Sequence, residues 1–108
     1  MKREQVIKNL VTNFCFIGEQ CVKIARETGD YNDITGNLRS SIGYIVLNDG
    51  EVKKMSKTKR YKGKKGDGSA GVKEGQDLLK QLQAKFTWGV VLIICAGMNY
   101  AAFVEDVH

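Results

Sequence analysis

Eight basic side chains fall between residues 53 and 65 with no acid among them: Lys53, Lys54, Lys57, Lys59, Arg60, Lys62, Lys64 and Lys65. Such a run can neutralise phosphates, and Tyr61 within it can stack on a base. The same charges also suit a solvated loop, or a docking loop that orders against an acidic partner, and charge runs often serve as such interaction segments. The contact candidates are Lys57, Lys59, Arg60, Tyr61, Lys62, Lys64 and Lys65. The glycines in Gly63-Lys64-Lys65-Gly66-Asp67-Gly68-Ser69 invite comparison with a phosphate-binding loop, but the GxxxxGK spacing and the terminal Lys-Ser/Thr pair are missing. A helix follows this segment, so weak anion binding at its start is the most the pattern supports.

Other reactive residue types are sparse. Cys15, Cys21 and Cys95 have neither disulfide-framework spacing nor a CxxC arrangement, and they lie on apolar stripes. They are expected to act as small hydrophobes in a reducing compartment. The single histidine, His108, is the last residue, so a nucleophile–base pair or a zinc site has little to draw on. Asp30 with Asp33, and Glu105 with Asp106, read as solvated loop carboxylates. The expectation is no catalytic residue, no metal and no cofactor.

The elements that must position these residues follow from periodicity. Ile7, Leu10, Phe14, Ile17, Cys21 and Ile24 recur at spacings of three and four. They predict an amphipathic helix over the first 27 residues, with Val11, Cys15, Val22 and Ala25 widening its stripe. Thr28-Gly29 should end it, and Gly18 inside it should allow another element to come close. Residues 28–38 are rich in turn formers. A strand is predicted from Ser41 to Leu47, an Asp49-Gly50 hairpin turn after it, and a returning strand from Glu51 to Met55. Residues 56–71 have almost nothing to bury and are expected to be a mobile basic loop. A second helix is predicted over Val72 to Phe86, with Leu78, Leu79, Leu82 and Phe86 on its apolar side. The run from Trp88 to Ala96 then reads as a central strand buried on both faces.

With 108 residues, 43% of them apolar and 27% charged, the chain fits one domain spanning 1–108. Outside residues 53–65 there are nine basic and twelve acidic residues, so the positive excess belongs to one segment. The longest apolar run, Val90 to Ala96, is far short of the roughly 20 residues that span a bilayer. No signal peptide is visible. The reading is a soluble intracellular protein with no membrane partner. Its expected fold class is α+β: an antiparallel sheet of three to four strands carrying both helices on one face.

Two stretches carry a further pattern. Asp33-Ile34-Thr35-Gly36-Asn37-Leu38-Arg39-Ser40-Ser41-Ile42 resembles the "D-T-G-x-L-R-x-S-I" signature of small head–tail joining and tail-completion proteins of tailed bacteriophages, with Ile34 set between the Asp and the Thr. Gly97-Met98-Asn99-Tyr100-Ala101-Ala102-Phe103-Val104-Glu105 resembles that family's second motif, "G-x-x-x-Y-A-x-x-v-E". The order of helix, first motif, strand hairpin and second motif matches as well. The motif residues are Asp33, Thr35, Gly36, Leu38, Arg39, Ser41, Ile42, Gly97, Tyr100, Ala101, Val104 and Glu105. The resemblance implies a non-enzymatic virion component that forms a homo-oligomeric ring with other neck and tail proteins, found in the virion and, during assembly, in the host cytoplasm. A small nucleic-acid-binding protein using residues 53–65 is the alternative. Among the motif residues, Thr35-Gly36 should make a tight turn with a positive backbone angle at the glycine. Leu38, Ile42, Tyr100 and Phe103 should enter the core, and Arg39 should pair with Glu105.

Overall fold

A computed structural model describes residues 2–28 and 36–106. The predicted helix end at Gly29, the connector residues 29–35 and His108 lie outside the described residues. The elements are α1 (Arg3–Thr28), α2 (Asn37–Ser40), β1 (Gly43–Asn48), β2 (Glu51–Met55), α3 (Ser69–Lys85), β3 (Val90–Ala96) and β4 (Asn99–Glu105). The four strands form one antiparallel sheet in the order β2-β1-β3-β4. The fold is α+β, as the alternation of apolar periods predicts.

The placement of the helices corrects the expectation that both lie on one face. Side chains alternate across a strand, and the alternation here divides the core in two. Tyr44, Val46 and Leu92 join Val22 and Ile42 in a cluster flanked by Val11, Phe14, Cys15 and Ala25 of α1. Ile45, Leu47, Val91, Ile93 and Cys95 join Leu78, Leu79 and Leu82 of α3 on the opposite side. A strand apolar at every position, as β3 is, needs cover on both faces. One helix per face is the economical way to supply it.

The face of α1 that meets the sheet also differs from the predicted stripe. Val22 is buried and Val11, Phe14, Cys15 and Ala25 pack beside it, whereas Ile17, Cys21 and Ile24 are exposed. Size decides this. A Cβ built on Gly18 would stand 2.6 Å from Cδ2 of Tyr44, so the helix comes down on the tyrosine ring at its one residue without a side chain. The Tyr44 hydroxyl donates to Glu19 Oε2 at 2.8 Å. Burial first, and then this bond to a carboxylate, push the phenol's pKa well above its ordinary value.

The β1–β2 hairpin forms as predicted, with Asp49 at φ 51° and Gly50 at φ 83° in its turn. Asp49 also ties this turn to the start of β3: its N–H donates to the Gly89 carbonyl at 2.9 Å, and its Oδ1 accepts from the Gly89 N–H at 2.8 Å. On the other face, α3 begins at Ser69, inside the segment read as loop. Its Gly71 and Gly75 lie so close to the backbone of Asn37 and Ser41 that any Cβ there would collide. No described helix is long and apolar enough to cross a membrane.

Candidate assembly interface

The two motif stretches meet at one end of the sheet. Ser41 Oγ donates to the Leu38 carbonyl at 2.6 Å and accepts from the Gly97 N–H at 2.7 Å. The Cys95 thiol donates to the Ser41 carbonyl at 3.5 Å. Leu38 lies over Gly97, with its Cδ1 3.1 Å from where a Cβ would stand. Gly97 has φ 64° and opens the two-residue turn between β3 and β4. Residues 56 apart in the chain are thus held as one small structural unit.

The other motif residues fare differently from one another. Asp33 and Thr35 lie outside the described residues. Gly36, with its predicted positive φ of 76°, and Ile42, buried at 3% exposure, are where the sequence reading placed them. Leu38, Tyr100, Val104 and Phe103 are not core: they are 46%, 45%, 42% and 52% exposed, and Ala101 and Glu105 are exposed too. β4 is an edge strand on which, among the described residues, only Ala102 packs against a core cluster, so side chains that would be core on a central strand face solvent there. Arg39 does not reach Glu105. Its Nε donates to the Arg26 carbonyl and its guanidinium lies over the Tyr61 ring, 4.1 Å from the centroid. Glu105 pairs across from Val90, at the far end of β4 from Gly97.

The basic segment is anchored at its middle. The Tyr61 N–H donates to Ser40 Oγ at 2.7 Å, and Gly36 and Gly68 both close on the Tyr61 carbonyl. With Arg39 over it and Lys59 5.3 Å from its centroid, the ring is engaged within the protein. Lys57, Lys59, Lys62, Lys64 and Lys65 are exposed around this anchor, and Arg60 pairs with Asp67 at 3.7 Å. Asp67 accepts from the Ser69 N–H and hydroxyl at 3.0 and 2.7 Å; these bonds hold its carboxyl below the usual value at the entrance to α3. Ser40 and Asn37, whose Oδ1 accepts from the Gly71 N–H at 3.0 Å, are anchor residues that sequence reasoning did not single out. Their signal was a Ser and an Asn, good backbone partners, set within the first motif.

Burial raises the thiol pKa values of Cys15 and Cys95, which makes both poor nucleophiles. Cys21 is exposed, against the expectation of a buried hydrophobe. Among the described residues, no cluster of His, Cys, Asp and Glu could hold a metal ion.

What remains is an apolar flank. Phe14 and Ile17 on one side of α1 and Leu92, Phe103 and Val104 of the sheet line an open groove, with Glu105 at its charged end. Cys21 and Ile24 continue the same helix side at three- and four-residue steps, and both are exposed. No protein-family model matches the chain, and no curated protein or solved structure matches it.

Proposed function

We propose that this chain is a non-enzymatic structural component of a tailed-phage or prophage particle. It joins or completes the tail at the head–tail interface as part of a ring. The observation that carries the reading is the hydrogen bond from the Gly97 N–H to Ser41 Oγ, which makes one unit of two stretches that each resemble a motif of the neck and tail-completion family. The uncovered β4 edge and the apolar side of α1 suit assembly, because exposed apolar surface of this kind marks interaction sites. A ring needs a heterologous contact repeated around an axis, so an edge that pairs with its own copy would join two protomers and leave ring closure to a second surface.

The test is genetic and visual. Deleting the coding segment from an inducible prophage should leave filled heads and separate tails under the electron microscope, and supplying the protein should restore joined particles. Normal joined particles in the deletion strain would overturn the reading.

Five exposed lysines between residues 57 and 65 favour a second reading, a nucleic-acid-binding protein. Its signature is DNA affinity that falls steeply as salt rises. Tyr61 would have to leave Arg39 before it could stack on a base.

A further inference from the structure

We propose that β4 pairs antiparallel with β4 of a second copy, about a two-fold axis at Ala102, joining two four-stranded sheets into one of eight strands. The inference rests on the geometry of this edge and holds whether or not the chain belongs to a phage particle.

The backbone argument comes first. β4 pairs with β3 without a bulge along all seven residues, from Ala96 opposite Asn99 to Val90 opposite Glu105. A two-residue turn closes on a hydrogen-bonded pair, here Ala96 and Asn99. The N–H and C=O groups of Asn99, Ala101, Phe103 and Glu105 therefore point to β3. Those of Tyr100, Ala102 and Val104 point out of the sheet with no strand beside them among the described residues. This outward set is symmetric about Ala102, the middle residue of the strand. A two-fold there sets Ala102 against Ala102 of the second copy and Tyr100 against Val104, and it uses every outward group.

The side chains fit the same axis. On the α1 face, Phe103 meets Ala101 of the second copy, large against small, and Asn99 meets Glu105, an amide donor against a carboxylate. On the α3 face, Tyr100 meets Val104, an aromatic against a β-branched residue, a favourable cross-strand pair. No charge meets its like. The second copy also covers Phe103, which a lone protomer leaves half exposed beside Phe14 and Ile17. The other edge cannot do this. A two-fold on β2 would set Lys53 against Lys53, and the β1–β2 register breaks between Val46 and Leu47. The occupant of the β4 edge is thus another β4.

Analytical ultracentrifugation and native mass spectrometry of the full chain test the pairing. A dimer in concentration-dependent exchange with monomer is expected. Tyr100→Lys and Val104→Glu should each weaken it about tenfold, because each change acts twice across the axis. Mixing the two variants should restore a heterodimer, since one junction then sets lysine against glutamate and the other is native. Circular dichroism confirms that the variants fold; both positions are already exposed in a single copy. A protein that stays monomeric at every concentration overturns the pairing. So does an oligomer of any size that survives both substitutions, and such a ring would leave the particle reading standing. Loss of the dimer together with normal particle joining would separate the two conclusions in the other direction.

Discussion

β2 and β4 are the two edges of one sheet, and each pairs with a single neighbour. β2 carries Glu51, Lys53 and Lys54 in five residues, and its pairing with β1 is interrupted by a register shift. β4 runs from Asn99 to Val104 without a charge and pairs with β3 in unbroken register. The helix above follows the division in part: Glu4, Lys8 and Thr12, with Ile7 and Val11, share a cleft with Lys53, while Phe14 and Ile17 share a groove with Leu92, Phe103 and Glu105. Charge and irregularity are the ordinary means of keeping an edge from pairing with another chain. One flank of this protein has them and the other, up to Glu105, does not, and this difference is what the proposed pairing along β4 rests on.

Leu92 and Phe103 are cross-strand partners on either side of this division, one 1% exposed and the other half exposed. Leu92→Ala should cost about 3 kcal/mol in urea unfolding of the monomer, and Phe103→Ala no more than about 1 kcal/mol. Equal costs would mean that β4 is already covered within the single chain.

Removing the protection of β2 is the converse change. Lys53→Val combined with Lys54→Val should give the molecule a second apolar edge and turn limited association into open-ended growth, seen as light scattering that rises with time. Scattering no different from the parent chain would show that the register shift, rather than the lysines, guards β2.

A smaller effect probes how firmly α1 is seated between the flanks. Tyr44→Phe removes the bond to Glu19 and should cost about 1 kcal/mol. The phenol's pKa is raised in the folded state, so its contribution is whole below the ordinary value of 10.0 and is lost as pH rises above it. The parent protein should therefore lose stability above that pH more steeply than the Tyr44→Phe variant. Parallel curves would remove burial of this hydroxyl from the account.

The smallest change concerns the basic flank. The carboxyl of Asp67 is held below its usual value by the Ser69 N–H and hydroxyl, so its stabilisation is present above the unfolded carboxylate pKa and fades as pH falls through the folded one. Asp67→Asn should lower the melting temperature slightly at neutral pH and not at all in acid. A difference that persists in acid would assign the effect to something other than the charge.

Local chemistry made much of this fold legible. Asp49-Gly50 identified the first hairpin, Glu51 to Met55 read as a strand that the structure reproduces, and the unbroken apolar run of β3 announced its central place. The failures share a physical cause: apolar character states what prefers to be buried, not what the chain itself can reach. Ile17 and Ile24 looked like core because they are large, yet the sheet took the smaller Cys15, Gly18 and Val22, which allow α1 to sit on Tyr44. Tyr100 and Phe103 failed for the related reason that β4 lies outside both helices. The start of α3 was hidden by Ser69-Ala70-Gly71, which reads as loop until Gly71 is seen to admit Asn37. Of the candidate interface, the motifs singled out Ser41 and Gly97 separately, but the bond between them and the bareness of the strand beyond were not foreseen; the expected tie was Arg39 to Glu105.

The place of β3 has a consequence for synthesis. With β1 it is one of the two strands that both core clusters share, and it occupies residues 90–96. When a ribosome has released α1, the β1–β2 hairpin and α3, neither helix has the middle of its floor. Chains are made at roughly 5–20 residues per second, so α1 waits for seconds with its apolar sides uncovered. Both layers can then close together only once the β3–β4 hairpin has been made, with mostly non-local contacts to form. A nascent chain stalled before residue 90 should be a substrate for chaperones and proteases, whereas one released a few residues past β4 should resist them.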